Sequence, residues 1–174
     1  DGRVIGIDRD DDALQNAKEK INDNRLITVK DNFENIINAV ETAGYKTVDG
    51  ILMDLGVSSH QLDVAERGFS YMRDAALDMR MDQTQPYSAY DVINGEPFEE
   101  LRRIISLYGE ERFAGKIAAA IVKRREQKPI ESTLELVDVI RSAMPAAAHL
   151  RRQTGLRIQF HQFVLMGSTA RRNR

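Results

Sequence analysis

The stretch "RVIGIDRDDDALQNAKEKINDNRLITV", residues 3–29, decides the fold class of this chain. It opens with an apolar run that ends in Asp8. In residues 10–21 the apolar side chains then recur at helical spacing, and the aspartates that open this segment favour a helix N-terminus. Residues 25–29, "RLITV", form a second β-like run. The pattern predicts a strand, a helix and a second strand.

The alternation continues beyond this stretch. Residues 32–44 predict a second helix that ends at Gly44, and residues 48–56, "VDGILMDLG", predict a third, buried strand that ends in Asp54. Strands that alternate with helices indicate a parallel sheet with crossover helices. Ligands bind beyond the carboxyl ends of such strands. Asp8 and Asp54 are therefore candidate site residues.

Length and composition indicate a soluble globular protein. The chain has 174 residues, of which 42% are hydrophobic and 30% charged, so one domain, with or without an insert, is expected. The net charge of −2 does not by itself indicate a nucleic-acid partner. There is no cysteine, which excludes disulfides and thiolate metal sites. We predict no metal, no membrane attachment and a cytoplasmic location.

The second half of the chain changes to helical periodicity. Helices are predicted from Phe98, over residues 110–127 and over residues 132–144, where Ser132 and Glu135 have the spacing of a capping box. Eight cations crowd this region, and they predict either an RNA phosphate surface or a solvated helix face with i,i+4 ion pairs. These cations are Arg102, Arg103, Arg112, Lys116, Lys123, Arg124, Arg125 and Lys128.

Residues 57–97 contain many turn formers and few periodic segments. Residues 77–82, "LDMRMD", fit a short strand or an ordered loop. Three arginines in this region are equally compatible with phosphate binding and with internal ion pairs. They are Arg67, Arg73 and Arg80, and their possible carboxylate partners are Glu66, Asp74, Asp78 and Asp82.

The last stretch of the chain differs in composition from the rest. Residues 150–174 contain six arginines, no lysine and no acid. Such a segment can bind nucleic acid, or it can be an aberrant, frameshifted end that was never selected to fold. We favour the second interpretation. The predicted organisation is a partial cofactor-binding domain over residues 1–60, a helical domain over residues 61–148 and an aberrant basic tail over residues 149–174.

Two acids and a loop are the candidates for chemistry. Asp8 can accept the ribose hydroxyls of a nucleotide, or it can cap the following helix. Asp54 can point into a ligand crevice, or it can form an Asx turn at the end of its strand. Gly56 allows close approach of a ligand to the backbone, and Ser58 and Ser59 supply hydroxyl groups.

A long block carries a resemblance to a known family. "MDLGVSSHQLDVAERGFSYMRDAALDMRMD" (53–82) and "YGEERFAGKIAAAIVKRRE" (108–126) closely resemble the MraW/RsmH family, and "IDRDDDAL" (7–14) and "DNF" (31–33) fit at the expected spacing. Members of this family use S-adenosyl-L-methionine to methylate N4 of a cytidine in 16S ribosomal RNA of the small ribosomal subunit. The resemblance covers roughly residues 1–147.

The resemblance implies a fold and a set of roles. The fold is an α/β, class I Rossmann-like methyltransferase with an inserted α-helical domain. It is partial here, because the family's glycine-rich motif and its last strands fall outside the region of resemblance. Asp8, Phe33, Asp54 and Gln61 are implied to bind the cofactor. The spacing alone would instead make Phe33 an ordinary core residue and Gln61 a solvated one. We expect these 174 residues to bind cofactor weakly and to be inactive alone.

The loop after the third predicted strand is the expected catalytic edge. The exocyclic amine of cytosine is a poor nucleophile, so an acceptor for one of its N–H groups assists the reaction. Asp54 and Ser58 are the candidate catalytic residues, Ser58 through its backbone carbonyl. The target base must leave its stack to reach them. Two alternatives remain open: a nicotinamide-dependent Rossmann oxidoreductase, and a non-catalytic RNA-binding protein.

Overall fold

The computed structural model describes residues 2–54 and 56–144, and these residues divide into two compact units. The first unit contains the described residues up to 54 together with Met81–Thr84, and the second contains Gly56–Arg80 and the described residues from Gln85 onward. The elements are β1 (Val4–Asp8), α1 (Asp11–Ile21), β2 (Leu26–Lys30), α2 (Ile36–Thr42), α3 (Ser59–Asp63), α4 (Ala89–Gly95), α5 (Phe98–Leu107), α6 (Ala114–Arg125) and α7 (Thr133–Ala143). Short 3-10 helices span Phe33–Asn35 and Ala65–Arg67.

The first unit contains the predicted strand, helix and strand. β1 pairs with β2 in parallel, with Val4 beside Leu26 and Asp8 beside Lys30, and α1 connects the two strands. α1 begins where the Asp10 side chain accepts a hydrogen bond from the N–H of Asp12, a standard N-cap. The predicted strand, helix and strand are therefore confirmed. The sequence could predict them because helix caps and apolar periodicity are local signals.

The second predicted helix is confirmed but begins differently. A 3-10 turn over Phe33–Asn35 precedes α2, and the predicted terminator, Gly44, has a φ of 87°. Such a positive φ is easy for glycine and costly for other residues. The chain therefore leaves the helix where the sequence predicts.

The predicted buried strand over residues 48–56 is wrong. In the described part of this segment, residues 48–54, there is no strand, and Leu52 is 96% exposed. Ile51 and Met53 are also exposed. A strand needs a neighbouring strand for its N–H and C=O groups, and in the described residues this run has no strand paired with it. Apolar character without a pairing partner does not produce a strand.

The second unit is helical, as predicted from Phe98 onward. α6 packs against both α5 and α7, and the apolar faces of the three helices contribute to the core. The fully or almost fully buried side chains of these three helices include Leu101, Ile104, Ile121, Leu136 and Val137. No helix in residues 2–54 or 56–144 combines the length and apolar character that crossing a membrane requires.

The predicted capping box at α7 forms in a modified way. The Ser132 hydroxyl accepts from the N–H of Glu135 at 3.3 Å, as expected. The Glu135 carboxylate, however, accepts from the N–H of Glu131 at 2.8 Å, one residue before the cap. Both contacts satisfy backbone donors at the helix start, so the position of the predicted N-terminus is confirmed.

Residues 77–82 are an ordered loop, not a strand. Leu77 and Met79 are buried, and one isolated antiparallel bridge joins Ala76 to Ser132. Gly68 packs against this loop with a φ of 72°, and a Cβ at that position would lie 2.5 Å from the Ala76 carbonyl oxygen. The loop is therefore fixed by a close backbone contact that only glycine allows.

Candidate functional site

The carboxyl ends of β1 and β2 form the candidate cofactor edge of the first unit. Asp8 is exposed at the end of β1, and its Oδ1 accepts from the N–H of Asp10 at 2.9 Å. Its carbonyl accepts from the N–H of Asp31, which follows β2, at 3.1 Å. The alternative that Asp8 caps α1 is wrong, because Asp10 is the cap. Asp8 instead stabilises the turn that leads to this cap.

Phe33 is exposed beside this edge. Its side chain is 54% exposed, so the alternative that it is a core residue is wrong. The preceding turn explains this position: the Asp31 carboxylate accepts from the N–H of Asn32 at 2.7 Å and from the Asn35 side chain at 2.8 Å. Asn32 is buried and caps the 3-10 turn. Asp31 and Asn32 are typical turn residues, and their supporting role was missed in the sequence.

Lys30 connects two acids of the first unit. Its Nζ lies 2.5 Å from Asp11 and 3.1 Å from Asp82. The hydrogen bonds to Asp11 and then to Asp82 raise the pKa of Lys30. Partial burial raises the pKa of Asp82, but hydrogen bonds from Thr84 and Lys30 outweigh it and hold that pKa below its usual value. Asp82 thus pairs with a lysine distant in sequence, which no local pattern indicates.

The loop after residue 55 is fixed by a reciprocal cap in the second unit. The Ser58 hydroxyl accepts from the N–H of Gln61 at 3.2 Å, and Gln61 Oε1 accepts from the N–H of Ser58 at 3.0 Å. This is a capping box at the start of α3, and its S-x-x-Q signature was visible in the sequence. Gln61 is only 4% exposed, so the alternative that it is solvated is wrong.

The predicted catalytic residues lie in different units. Asp54 is exposed and belongs to the first unit, at the end of the apolar run that forms no strand. Ser58 belongs to the second unit, where its carbonyl accepts from the N–H of Leu62 at 3.3 Å. Leu55, whose carbonyl is another candidate acceptor, lies outside the described residues, as do residues 145–174 with the predicted basic tail.

The cofactor edge fits a nucleoside in its chemistry. The exposed carboxylate of Asp8 can accept from hydroxyl groups, and the exposed ring of Phe33 offers an apolar face for a base. Gln61 fits less directly, because its carbonyl oxygen is engaged in the capping box. No group of three or more histidines, aspartates or glutamates within residues 2–54 and 56–144 has a metal-binding arrangement.

Most of the basic side chains of the helical region have partners. Arg102 pairs with Glu99 and Arg103 with Glu100, both at i,i+3 instead of the predicted i,i+4. Lys128 pairs with Glu131 at 2.9 Å, and Arg124 reaches Glu135 at 3.7 Å on the next helix. Arg125 donates to the carbonyls of Ile93 and Glu96, both at 2.6 Å. The interpretation as a solvated, ion-paired face therefore holds for the exposed cations Arg102, Arg103 and Lys128. It does not hold for Arg125, which is bonded to backbone carbonyls, and Arg124 pairs with a different helix.

The arginines before this region favour internal contacts. Arg80 pairs with Asp78 at 2.7 Å, and Arg67 is buried and donates to the Arg80 carbonyl at 3.2 Å. Arg73 is exposed. Arg67 and Arg80 thus hold the 67–80 loop together.

The arrangement of a parallel strand pair with flanking helices is consistent with a methyltransferase fold. The model of the MraW methylase family matches residues 1–162, and the chain belongs to this family. The matched range extends into the basic tail, which lies outside the described residues.

Three curated relatives of this chain share the name "Ribosomal RNA small subunit methyltransferase H". The chain is 54% identical over 156 residues to the "Ribosomal RNA small subunit methyltransferase H" of Brevibacillus brevis (strain 47 / JCM 6285 / NBRC 100599), which covers 88% of this chain and 49% of that protein. It is 54% identical over 146 residues to the protein of that name from Clostridium botulinum (strain Loch Maree / Type A3), covering 83% and 47%. For Geobacter sp. (strain M21) the identity is 52% over 149 residues, covering 84% and 48%. The chain spans about half the length of these relatives.

Proposed function

We propose that this protein is an S-adenosyl-L-methionine-dependent methyltransferase that modifies N4 of a cytidine in 16S ribosomal RNA. The observation that carries the proposal is the family match over residues 1–162, together with relatives named as ribosomal RNA methyltransferases at about half identity. These relatives do not support the oxidoreductase or the non-catalytic RNA-binding alternative. The substrate belongs to the small ribosomal subunit, which implies a cytoplasmic location.

The fold belongs to the same proposal. We take β1, α1 and β2 as part of a class I Rossmann-like cofactor-binding domain, and the helices of the second unit as an inserted substrate domain. The parallel pairing of Asp8 with Lys30 at the strand ends supports this assignment, because ligands of such sheets bind beyond the carboxyl ends.

Each candidate residue then has a stated role. S-adenosyl-L-methionine supplies an electrophilic methyl group when bound. Asp8 accepts the ribose hydroxyls, the exposed ring of Phe33 packs on the adenine, and Gln61 orders the loop that begins at Ser58 while its amide contacts the cofactor. Asp54 accepts an N–H of the cytosine amine and takes the proton that the nitrogen loses as it gains a methyl group. The Ser58 carbonyl assists as a second acceptor.

The test separates catalysis from binding in the full-length protein. We expect Asp54→Ala to lower methyl transfer to 16S ribosomal RNA about 100-fold or more, because general-base assistance is worth that much, with RNA affinity nearly unchanged. Asp49→Ala is the matched control, since Asp49 is an exposed aspartate five residues earlier. Methyl transfer is measured by tritium incorporation and RNA affinity by filter binding. Equal losses of activity and RNA affinity in Asp54→Ala would contradict the catalytic role.

A further inference from the structure

Three cations of the second unit form an exposed face. We define the α6 basic face as Arg112, Lys116 and Lys123, all of which are exposed. On an α-helix, positions 116 and 123 lie about 20° apart around the axis and about 10 Å apart along it. Arg112 joins the first of them through a shared ring: its Cζ lies 4.7 Å, and Lys116 Nζ 5.9 Å, from the ring centroid of Phe113.

The cations of this face form no ion pair with a carboxylate of the described residues. Within residues 2–54 and 56–144, no ion pair joins any of its three cations to a carboxylate, whereas Arg102, Arg103, Arg124 and Lys128 all have carboxylate partners. Glu111, the nearest acid in sequence to Arg112, is buried, and its carboxylate accepts from the N–H of Phe113 at 2.8 Å. The contact with an aromatic ring leaves the positive charges in place.

We propose that the α6 basic face binds consecutive phosphates of the RNA substrate. The inference rests on the proposed function and adds to it the surface that holds the RNA backbone. Two of these cations lie on α6 and Arg112 lies just before it. Cations without carboxylate partners attract a polyanion without reading its sequence, and such phosphate contacts fix the register of a nucleic acid on a protein. The stacking of Arg112 on Phe113 limits the freedom of one guanidinium, which reduces the entropy lost on binding.

The experiment compares two triple variants with the same change in net charge. The test variant is Arg112→Gln, Lys116→Gln and Lys123→Gln, and the control variant is Arg102→Gln, Arg103→Gln and Lys128→Gln. Binding of a fluorescein-labelled single-stranded RNA to the full-length protein is measured by anisotropy over a range of salt concentrations. We expect the test variant to bind at least about ten-fold more weakly and to lose about 2 from the slope of log affinity against log salt. The control variant should change little.

A single site gives a second test that removes no side-chain contact. Ala119 is exposed on α6 between Lys116 and Lys123. Ala119→Glu should weaken RNA binding, whereas Ala119→Gln should not, and the two residues have similar helix propensities. Circular dichroism checks that each variant is folded.

The outcomes separate this inference from the proposed function. Equal losses in the test and control triples, or no difference between Ala119→Glu and Ala119→Gln, would overturn the RNA surface. A test triple that loses binding to polyglutamate but not to RNA would also overturn it and would indicate an acidic protein partner. If RNA binding depends on the basic face but the parent protein transfers no methyl group, the inference stands and the proposed function fails.

Discussion

The apolar run of the first unit is exposed to solvent, whereas the apolar helix faces of the second unit are buried. Leu52 is 96% exposed in a segment without a strand, whereas Leu101 of α5 is fully buried. Both leucines lie in stretches that favour burial in the sequence. A helix satisfies its own backbone hydrogen bonds and needs only a packing surface, but a strand needs another strand to pair with. The difference shows that hydrophobicity predicts burial only where the backbone hydrogen bonds are also satisfied.

The largest expected effect tests this comparison directly. Leu101→Ala should lower the free energy of unfolding by about 3 kcal/mol, because it removes buried methyl groups and leaves a cavity. Leu52→Ala should change it by less than about 0.5 kcal/mol, because the side chain is already in water. Urea denaturation followed by circular dichroism measures both. A cost above about 2 kcal/mol for Leu52→Ala would show that residues 51–53 are buried in solution.

Two glycines, one in each unit, extend the comparison from side-chain burial to backbone conformation. Gly44 of the first unit and Gly68 of the second both have positive φ, but only Gly68 would bring a Cβ close to other backbone atoms. Gly44→Ala should cost about 1 kcal/mol through the left-handed conformation alone. Gly68→Ala should cost about 2 kcal/mol or more, because the added Cβ also meets the Ala76 carbonyl at 2.5 Å.

Thermal and urea unfolding of the two glycine variants measure the difference between their stability costs. Equal costs would mean that the 67–80 loop yields to the new side chain and is not fixed by its close backbone contact. The second unit would then accept an alanine at Gly68 as readily as the first unit accepts one at Gly44.

The smallest effect depends on pH. Burial raises the pKa of Asp78, but the hydrogen bonds and charge of Arg80 lower it more, so this pKa lies below its ordinary value of 3.8. A carboxylate with a lowered pKa in the folded state adds stability that is complete above its ordinary pKa and is lost as the pH falls through the folded value. Asp78→Asn should therefore cost about 1 kcal/mol at pH 7 and progressively less below about pH 4.

The matched control for the pH experiment is Asp49→Asn in the first unit, an exposed aspartate. We expect this variant to change the free energy of unfolding at pH 7 by less than about 0.5 kcal/mol, because the side chain is exposed. A constant difference between Asp78→Asn and the parent down to pH 2 would contradict the pairing of Asp78 with Arg80.

The sequence by itself determined the elements whose signals are local. The periodicity of residues 10–21 and 132–144, the caps at their starts and the glycine at position 44 all act within a few residues, and α1, α7 and the end of α2 follow them. The capping box of Ser58 and Gln61 was equally readable, although it was missed. Family membership was also determined by the sequence, because it rests on the match of residues 1–162.

Only the tertiary structure decided which residues are buried, exposed or paired. It exposed Phe33 and Leu52, buried Gln61, and joined Lys30 to Asp82. It also shows which cations have carboxylate partners and that the three of the α6 basic face form no such ion pair within the described residues. The pairing of Lys30 with Asp82 joins residues that are distant in the chain, and no short sequence pattern encodes such a contact. The catalytic role of Asp54 is the part that the Asp54→Ala experiment tests.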